Sequence, residues 1–436
     1  MKQYFNANIF WYLSILLPFT FAIGIAVTEL FALIIILFFL YKNRNFYYFT
    51  DIKFLYLIFF SIYISINASI QISDNDLKFQ SFFHFRFAIL AVSILFILDF
   101  FKDKIYLKNY LLLFAIFVSF LIIIDALIQY FVGQNIFGYE IIRNRISGIF
   151  GPEFILGSFL IRILPLIVWL IFFYKFKIKK NQIFLCIFFS LYFITIYVAG
   201  ERSAFISLLI FLFFSIIFLI PLRKLFVIST VSLILFIILT SFIKIGKSDP
   251  TNRMFIKTFN QIQTKFFLNK DYKINLKDDK LSDQNKKFSE NLVIFSTNHN
   301  GHYVLAYHLF KDSPIFGKGP EGFRSYCREV KYNSKIGICS THPHNILLQI
   351  LSELGIFGFA FYLFGILFVL LKIFKIHKKN DTNYSNKFCF LSCSIAIIIN
   401  LFPFLPSGNI FNNWMLIINY YYFGLYLFGY NELAKL

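Results

Sequence analysis

Thr341-His342-Pro343-His344-Asn345 stands directly ahead of the apolar run Ile346 to Phe374, so imidazoles lie where an outer loop enters a membrane helix. The positive end of a helix dipole disfavours imidazolium. A neutral His344 can accept a proton, which is the work of a general base. Pro343 to Asn345 predicts the first helical turn. Eleven residues beyond His344, Gly355 returns to the same helix face, with Gly358 one turn further. Glycines there would admit a second helix beneath the imidazole. Two plainer readings compete: a histidine hydrogen-bonded at a wet helix end, or His342 and His344 holding a metal. The metal reading is the weaker, because the nearest further ligands are two cysteines expected to pair with each other.

Arginines form the second chemical signal. Arg202 opens an apolar run within Gly200-Glu201-Arg202-Ser203, where helix amides and a guanidinium would point at one spot, a combination suited to phosphate. Arg143 and Arg145 lie in the segment Ile142 to Glu153, Arg86 follows His84, and Arg162 lies inside an apolar run where it needs a carboxylate or carbonyl partner. A single arginine at a helix end most often reaches toward headgroups. Several on one leaflet point instead to an anionic ligand. Between Arg145 and Ser158, Gly148, Gly151 and Pro152 break any helix, and irregular backbone at membrane depth is tolerated only where protein or water shields it. This stretch is expected either to line a cavity, with Glu153 as an acid within the membrane, or to be an ordinary connection.

The elements that must position these groups follow from composition. With 58% hydrophobic and 15% charged residues the chain is far too apolar for a soluble globule. Apolar runs of spanning length number about twelve, which predicts an all-α polytopic membrane protein. The expected spans lie near 8–24, 25–41, 53–71, 84–101, 109–132, 154–174, 182–199, 202–220, 225–244, 345–371, 386–404 and 413–431. Lys42 and Arg44, Lys102 to Lys108, Lys175 to Lys180, Arg223 and Lys224, and Lys372 to Lys379 fall on alternate sides of the spans. That pattern predicts cytoplasmic termini. The expected organisation is helices 1–9 in residues 1–245, one large extracytoplasmic loop domain at 246–344, and helices 10–12 in 345–436.

The net charge of +20 is absorbed by flanks facing anionic lipid, so membrane lipids are expected partners and nucleic acid is not. Met1 to Gly24 shows no cleavage pattern and is expected to remain as an anchor. Cys186, Cys389 and Cys393 fall in spans as ordinary buried thiols, whereas Cys327 and Cys339 share the loop and are expected to form a disulfide. Within the loop, Asn252 to Leu268 predicts a surface helix, Asn269 to Lys287 a polar mobile stretch, and His302 to Lys311 a second helix ended by Asp312-Ser313-Pro314. The turn Gly317-Lys318-Gly319-Pro320 follows.

The pattern His344-Asn345, nine residues, Gly355, two residues, Gly358 resembles the O-antigen ligase and polymerase family. The resemblance extends to Gly317-x-Gly319 with Phe323-Arg324, to Arg202-Ser203, and to Arg145-x-Ser147-Gly148, over roughly residues 143 to 365. It implies glycosyl transfer on the periplasmic side of the bacterial inner membrane, from a glycan on undecaprenyl pyrophosphate, with no metal and no other cofactor. The acceptor would be lipid A core for a ligase, a growing lipid-linked glycan for a polymerase, or a protein hydroxyl for a protein O-oligosaccharyltransferase. By the resemblance His344 would activate the acceptor hydroxyl and Arg202, with Arg145, would hold the pyrophosphate. Arg143, Arg86, His302, Asn345 and Arg324 would contact substrate, while Gly355, Gly358, Cys327 and Cys339 would be structural. His302 stands where many relatives have arginine. A flippase or transporter for the same lipid is disfavoured, because it predicts midplane polar groups and internal repeats, and none is apparent. A scaffold would leave the loop histidines exchangeable.

Overall fold

A computed structural model describes residues 2–42, 48, 52–70, 83–102, 108–243, 245–256, 259, 297–327, 340–379 and 384–434. Every one of the twelve expected apolar segments contains helix: α1 (Lys2–Leu16), α2 (Ile25–Lys42), α3 (Ile52–Ile70), α4 (Phe85–Phe101), α5 (Lys108–Val132), α6 (Leu156–Phe173), α7 (Gln182–Val198), α8 (Arg202–Phe218), α9 (Arg223–Phe242), then α12 (Ile346–His377), α13 (Tyr384–Asn400) and α14 (Asn413–Ala434). Between α9 and α12 come α10 (Thr297–Asp312) and the short α11 (Gly322–Tyr326). No strand occurs among the described residues. Among the described residues five helical stretches are long and apolar enough to cross a membrane: Ile25–Lys42, Tyr110–Val132, Leu156–Phe173, Ile220–Phe242 and Ile346–His377. Others are shorter, as Gln182–Val198 is. The fold is that of an all-helical protein consistent with several membrane crossings.

Helix α6 lies at the centre, with 83% of its residues buried. It packs on α13, α7 and α8, while α14 packs on α4 and α13. Pro165 inside α6 removes one helical donor. Nearby carbonyls are served from neighbouring helices: Tyr192 Oη donates to Leu160 O at 2.7 Å and Tyr422 Oη to Arg162 O at 2.5 Å. The periphery is apolar outward, with Phe117 on α5, Phe213 on α8, Leu235 on α9 and Phe364 on α12 all more than half exposed. Such faces suit lipid as solvent.

The loop between α9 and α12 is described only in part. Of the expected surface helix, Asn252–Ile256 forms one π-helical turn and the rest lies almost wholly outside the described residues. The polar stretch Asn269 to Lys287 and Cys339 lie outside them too. The expected helix at His302 to Lys311 is found, reaching back to Thr297, and it packs on α12 through Leu305, Leu309 and Leu348, with Phe323 of α11 in the same cluster. Cys327 is disulfide-bonded, while Cys186, Cys389 and Cys393 are free.

Candidate functional site

Three imidazoles gather at the head of α12. The His342 and His344 ring centroids are 4.0 Å apart, and His302 on α10 brings its ring to 5.5 Å from His344. His302 and His342 are buried, while His344 is half-buried. The carbonyl of Ser407 can only accept, so His342 Nε2, 3.1 Å away, carries the proton and donates. Its Nδ1 lies 2.9 Å from the Thr341 hydroxyl. His344 Nε2 lies 3.2 Å from Ser340 Oγ.

Local backbone explains the placement. Asn345, not Pro343, delimits the helix: it is the extended N-cap, and its Oδ1 accepts from Leu348 N at 3.0 Å. The expected first turn at Pro343 to Asn345 is therefore displaced, because His344 adopts a left-handed φ of 59° that no helix continues. Asn345 Nδ2 donates to Pro403 O at 2.9 Å and Ser407 N donates to His344 O at 3.0 Å, so the α13–α14 connection fixes both residues of the pair.

Gly355 has a different role from the one its spacing predicts. Its φ of 66° and ψ of −164° break α12, so it does not sit on a continuous helix face below His344. The break lets the turn after α10 press against α12, where a Cβ on Gly355 would collide with the Ile315 carbonyl. Gly358 faces Leu354 across the kink rather than a second helix. The turn itself forms as expected, with Gly317 and Gly319 at φ of 72° and 79°.

A buried polar chain that the motifs do not mark stiffens this junction. Gln349 and Glu353 are wholly buried on α12. Gln349 Nε2 donates to Glu353 Oε2 at 2.9 Å and to Asn409 Oδ1 at 2.7 Å, and Glu353 Oε1 accepts from Phe323 N at 3.0 Å. One carboxylate thus ties α11 to α12 and, through Gln349, to the α13–α14 connection. Two polar residues four apart inside an apolar run were the signal available in the sequence. Arg324, next to Phe323, is exposed.

Of the arginines of the second signal, Arg143, Arg145 and Arg202 assemble around Gly200, with a partner, Arg253, that sequence reading missed. Arg253 Nε donates to Gly200 O at 2.8 Å, and Arg202 donates to Arg253 O through Nε and Nη2 at 3.2 and 3.1 Å. Arg145 donates to Phe154 O at 2.7 Å and lies over the Phe154 ring, while its Nε is buried with no partner among the described residues. The acid at this place is Glu201, not Glu153, which is exposed. Glu201 precedes α8 and accepts from Gly157 N at 2.7 Å and Ser158 Oγ at 2.6 Å, so it covers the positive end of α6. Burial raises its pKa, against the Ser158 bond and Arg145, which lower it. Burial likewise lowers the pKa of Arg145 and of Arg253, the latter pushed further by Arg145 and Arg202.

The loop carrying Arg143 and Arg145 is held by α5. Gln129 Oε1 accepts from Ser147 N and Gly148 N at 3.0 and 2.7 Å, and the buried Asp125 accepts from Ile136 N at 3.0 Å. Arg143 and Asn144 both have left-handed φ, of 55° and 57°, a costly conformation kept where surroundings over-determine it. Arg86 does not join this group in any described contact; it donates to Asn413 Oδ1 at 3.2 Å at the start of α14. Arg162 has the carbonyl partner expected of it, Ser158 O at 2.8 Å, and lies over the Trp414 ring.

Residues 184–363 match the family model described as O-antigen ligase. That region is similar to the O-antigen ligase family. The O-antigen ligase region runs from α7 past the break at Gly355, so it holds Arg202, Arg253, His302, Gly317, Arg324, His344, Asn345, Gly355 and Gly358. Arg86, Arg143 and Arg145 precede it. No curated protein matches the chain.

Proposed function

We propose that this chain is an O-antigen ligase that transfers a glycan from undecaprenyl pyrophosphate to a hydroxyl of lipid A core, on the periplasmic side of the inner membrane. The observation carrying this reading is His344 itself: a half-buried imidazole at the capped head of α12, held by backbone on both sides and flanked by two further imidazoles. In the reaction the acceptor oxygen attacks the anomeric carbon and the bond from that carbon to the phosphate oxygen breaks. The hydroxyl proton passes to His344, and undecaprenyl pyrophosphate leaves as the anion. General-base assistance of this kind contributes about 10²–10⁴-fold. Arg202 and Arg145 meet the charge on the leaving group, and the Nε of Arg145, unpartnered among the described residues, is a donor suited to a phosphate oxygen. His302 adds a group that is cationic only when protonated where arginine would be permanently charged. No metal enters this chemistry.

The test is transfer by purified protein from a lipid-linked glycan to lipid A core, comparing wild type with His344→Ala and with His344→Asn, which tolerates left-handed backbone. Capped core from wild type alone supports the reading. Lengthened lipid-linked chains without capped core would make the protein a polymerase, and full transfer by folded variants would remove His344 from the mechanism.

A further inference from the structure

Beside the arginines that the glycan-transfer reading uses lies a cavity of about 790 Å³, within the usual range for a small-molecule site. Its polar wall is Gln134, Glu140, Arg143, Asn144, Lys247 and Arg253. Three cations therefore face one carboxylate, and among the described residues none of the three lies within ion-pair distance of an acid. Proteins ordinarily pair or disperse such charges, so an unneutralised cationic recess favours an anionic occupant. Two amide side chains stand among the cations and supply the neutral donors and acceptors that hydroxyls require. The wall is rigid. Lys247 N donates to Tyr130 O at 2.9 Å, and Arg253 bridges Gly200 O and Arg143 O. Arg253 also carries the carbonyl on which Arg202 rests, so the cavity adjoins the group assigned to the pyrophosphate.

We propose that this cavity seats sugar residues of the transferred glycan and selects an acidic sugar, one bearing a carboxylate or a phosphate. The proposal rests on the glycan-transfer reading and deepens it. Arg143 and Lys247, both exposed to the cavity, read the sugar's charge, while Gln134 and Asn144 read its hydroxyls. Neutral glycans fit the same space but leave the cations uncompensated.

The experiment is calorimetric titration of the full-length protein in detergent with three probes: a trisaccharide ending in glucuronic acid, the same trisaccharide with its carboxyl reduced, and a trisaccharide phosphate. The acidic probes are expected to bind at least about tenfold more tightly than the neutral one, the value of a charge-assisted hydrogen bond. Arg143→Gln with Lys247→Gln is expected to erase that preference at an unchanged unfolding temperature. Equal affinities, or no binding by any of the three, would overturn the proposal. So would loss of acidic-sugar binding to competing short-chain phosphatidylglycerol at equal concentration, which would assign the cavity to a lipid headgroup. Because the probes carry no lipid, binding that persists in a protein inactive with every donor would sink the transferase reading alone. Transfer without charge preference would sink this inference alone.

Discussion

Gly317 and Gly355 lie backbone against backbone: a Cβ on Gly317 would strike the Glu353 carbonyl, and one on Gly355 would strike the Ile315 carbonyl and the Gly317 amide. The hydrogen bonds are exchanged across this contact. Ile356 N donates to Pro314 O at 2.8 Å, and the Ser352 carbonyl that a straight helix would offer it accepts instead from Lys318 N at 2.9 Å. The kink therefore leaves these backbone groups satisfied.

Alanine at Gly355 is expected to cost about 2–3 kcal/mol from left-handed strain and collision. Gly317→Ala should cost a similar amount. Since both break one contact, the double variant should lose less than the sum, as measured by chemical unfolding in detergent. Strict additivity would show the two glycines act independently.

Asn345 both caps α12 and grips Pro403, so its two functions separate by substitution. Asn345→Ala should lose about 1 kcal/mol from the cap alone. Asn345→Asp keeps the cap acceptor but loses the donor to Pro403. It should therefore retain most stability while transfer falls, read as kcat beside unfolding temperature, because the connection that fixes the His344 carbonyl is loosened.

The pKa of Glu201 is raised in the folded protein, chiefly by burial. A raised carboxyl binds its proton more tightly when folded, so its stabilisation is fully present below the ordinary value of 4.5 and lost as pH climbs through the folded value. The unfolding temperature of wild type should decline across that window relative to Glu201→Gln, which cannot ionise and whose one amide oxygen keeps an acceptor for either Gly157 or Ser158. Parallel curves for the two proteins would contradict this.

Gln129→Leu should strand the amides of Ser147 and Gly148, at a cost of about 2 kcal/mol or more. Because the same loop carries Arg143 and Arg145, the lipid-linked donor should show a raised KM with little change in kcat. A fall in kcat alone would mean the loop does not position the donor.

The sequence by itself determined the helical segments, because runs of apolar residues have few other ways to satisfy a backbone in lipid. It also marked His344-Asn345, Gly355 and Gly358, and the arginines, by residue type and spacing. Spacing alone placed Gly355 on a regular helix face. Only the tertiary structure made it a break, because the positive φ depends on the loop that replaces the lost helical bonds. Glu153 and Glu201 are both acids beside a glycine turn, and burial, which no local pattern encodes, separated them. Arg253 joined Arg202 and Arg145 across a connection of more than fifty residues, and His302 reached His344 from another helix. Such meetings are set by how helices pack, so they belong to the fold and not to any stretch of the chain.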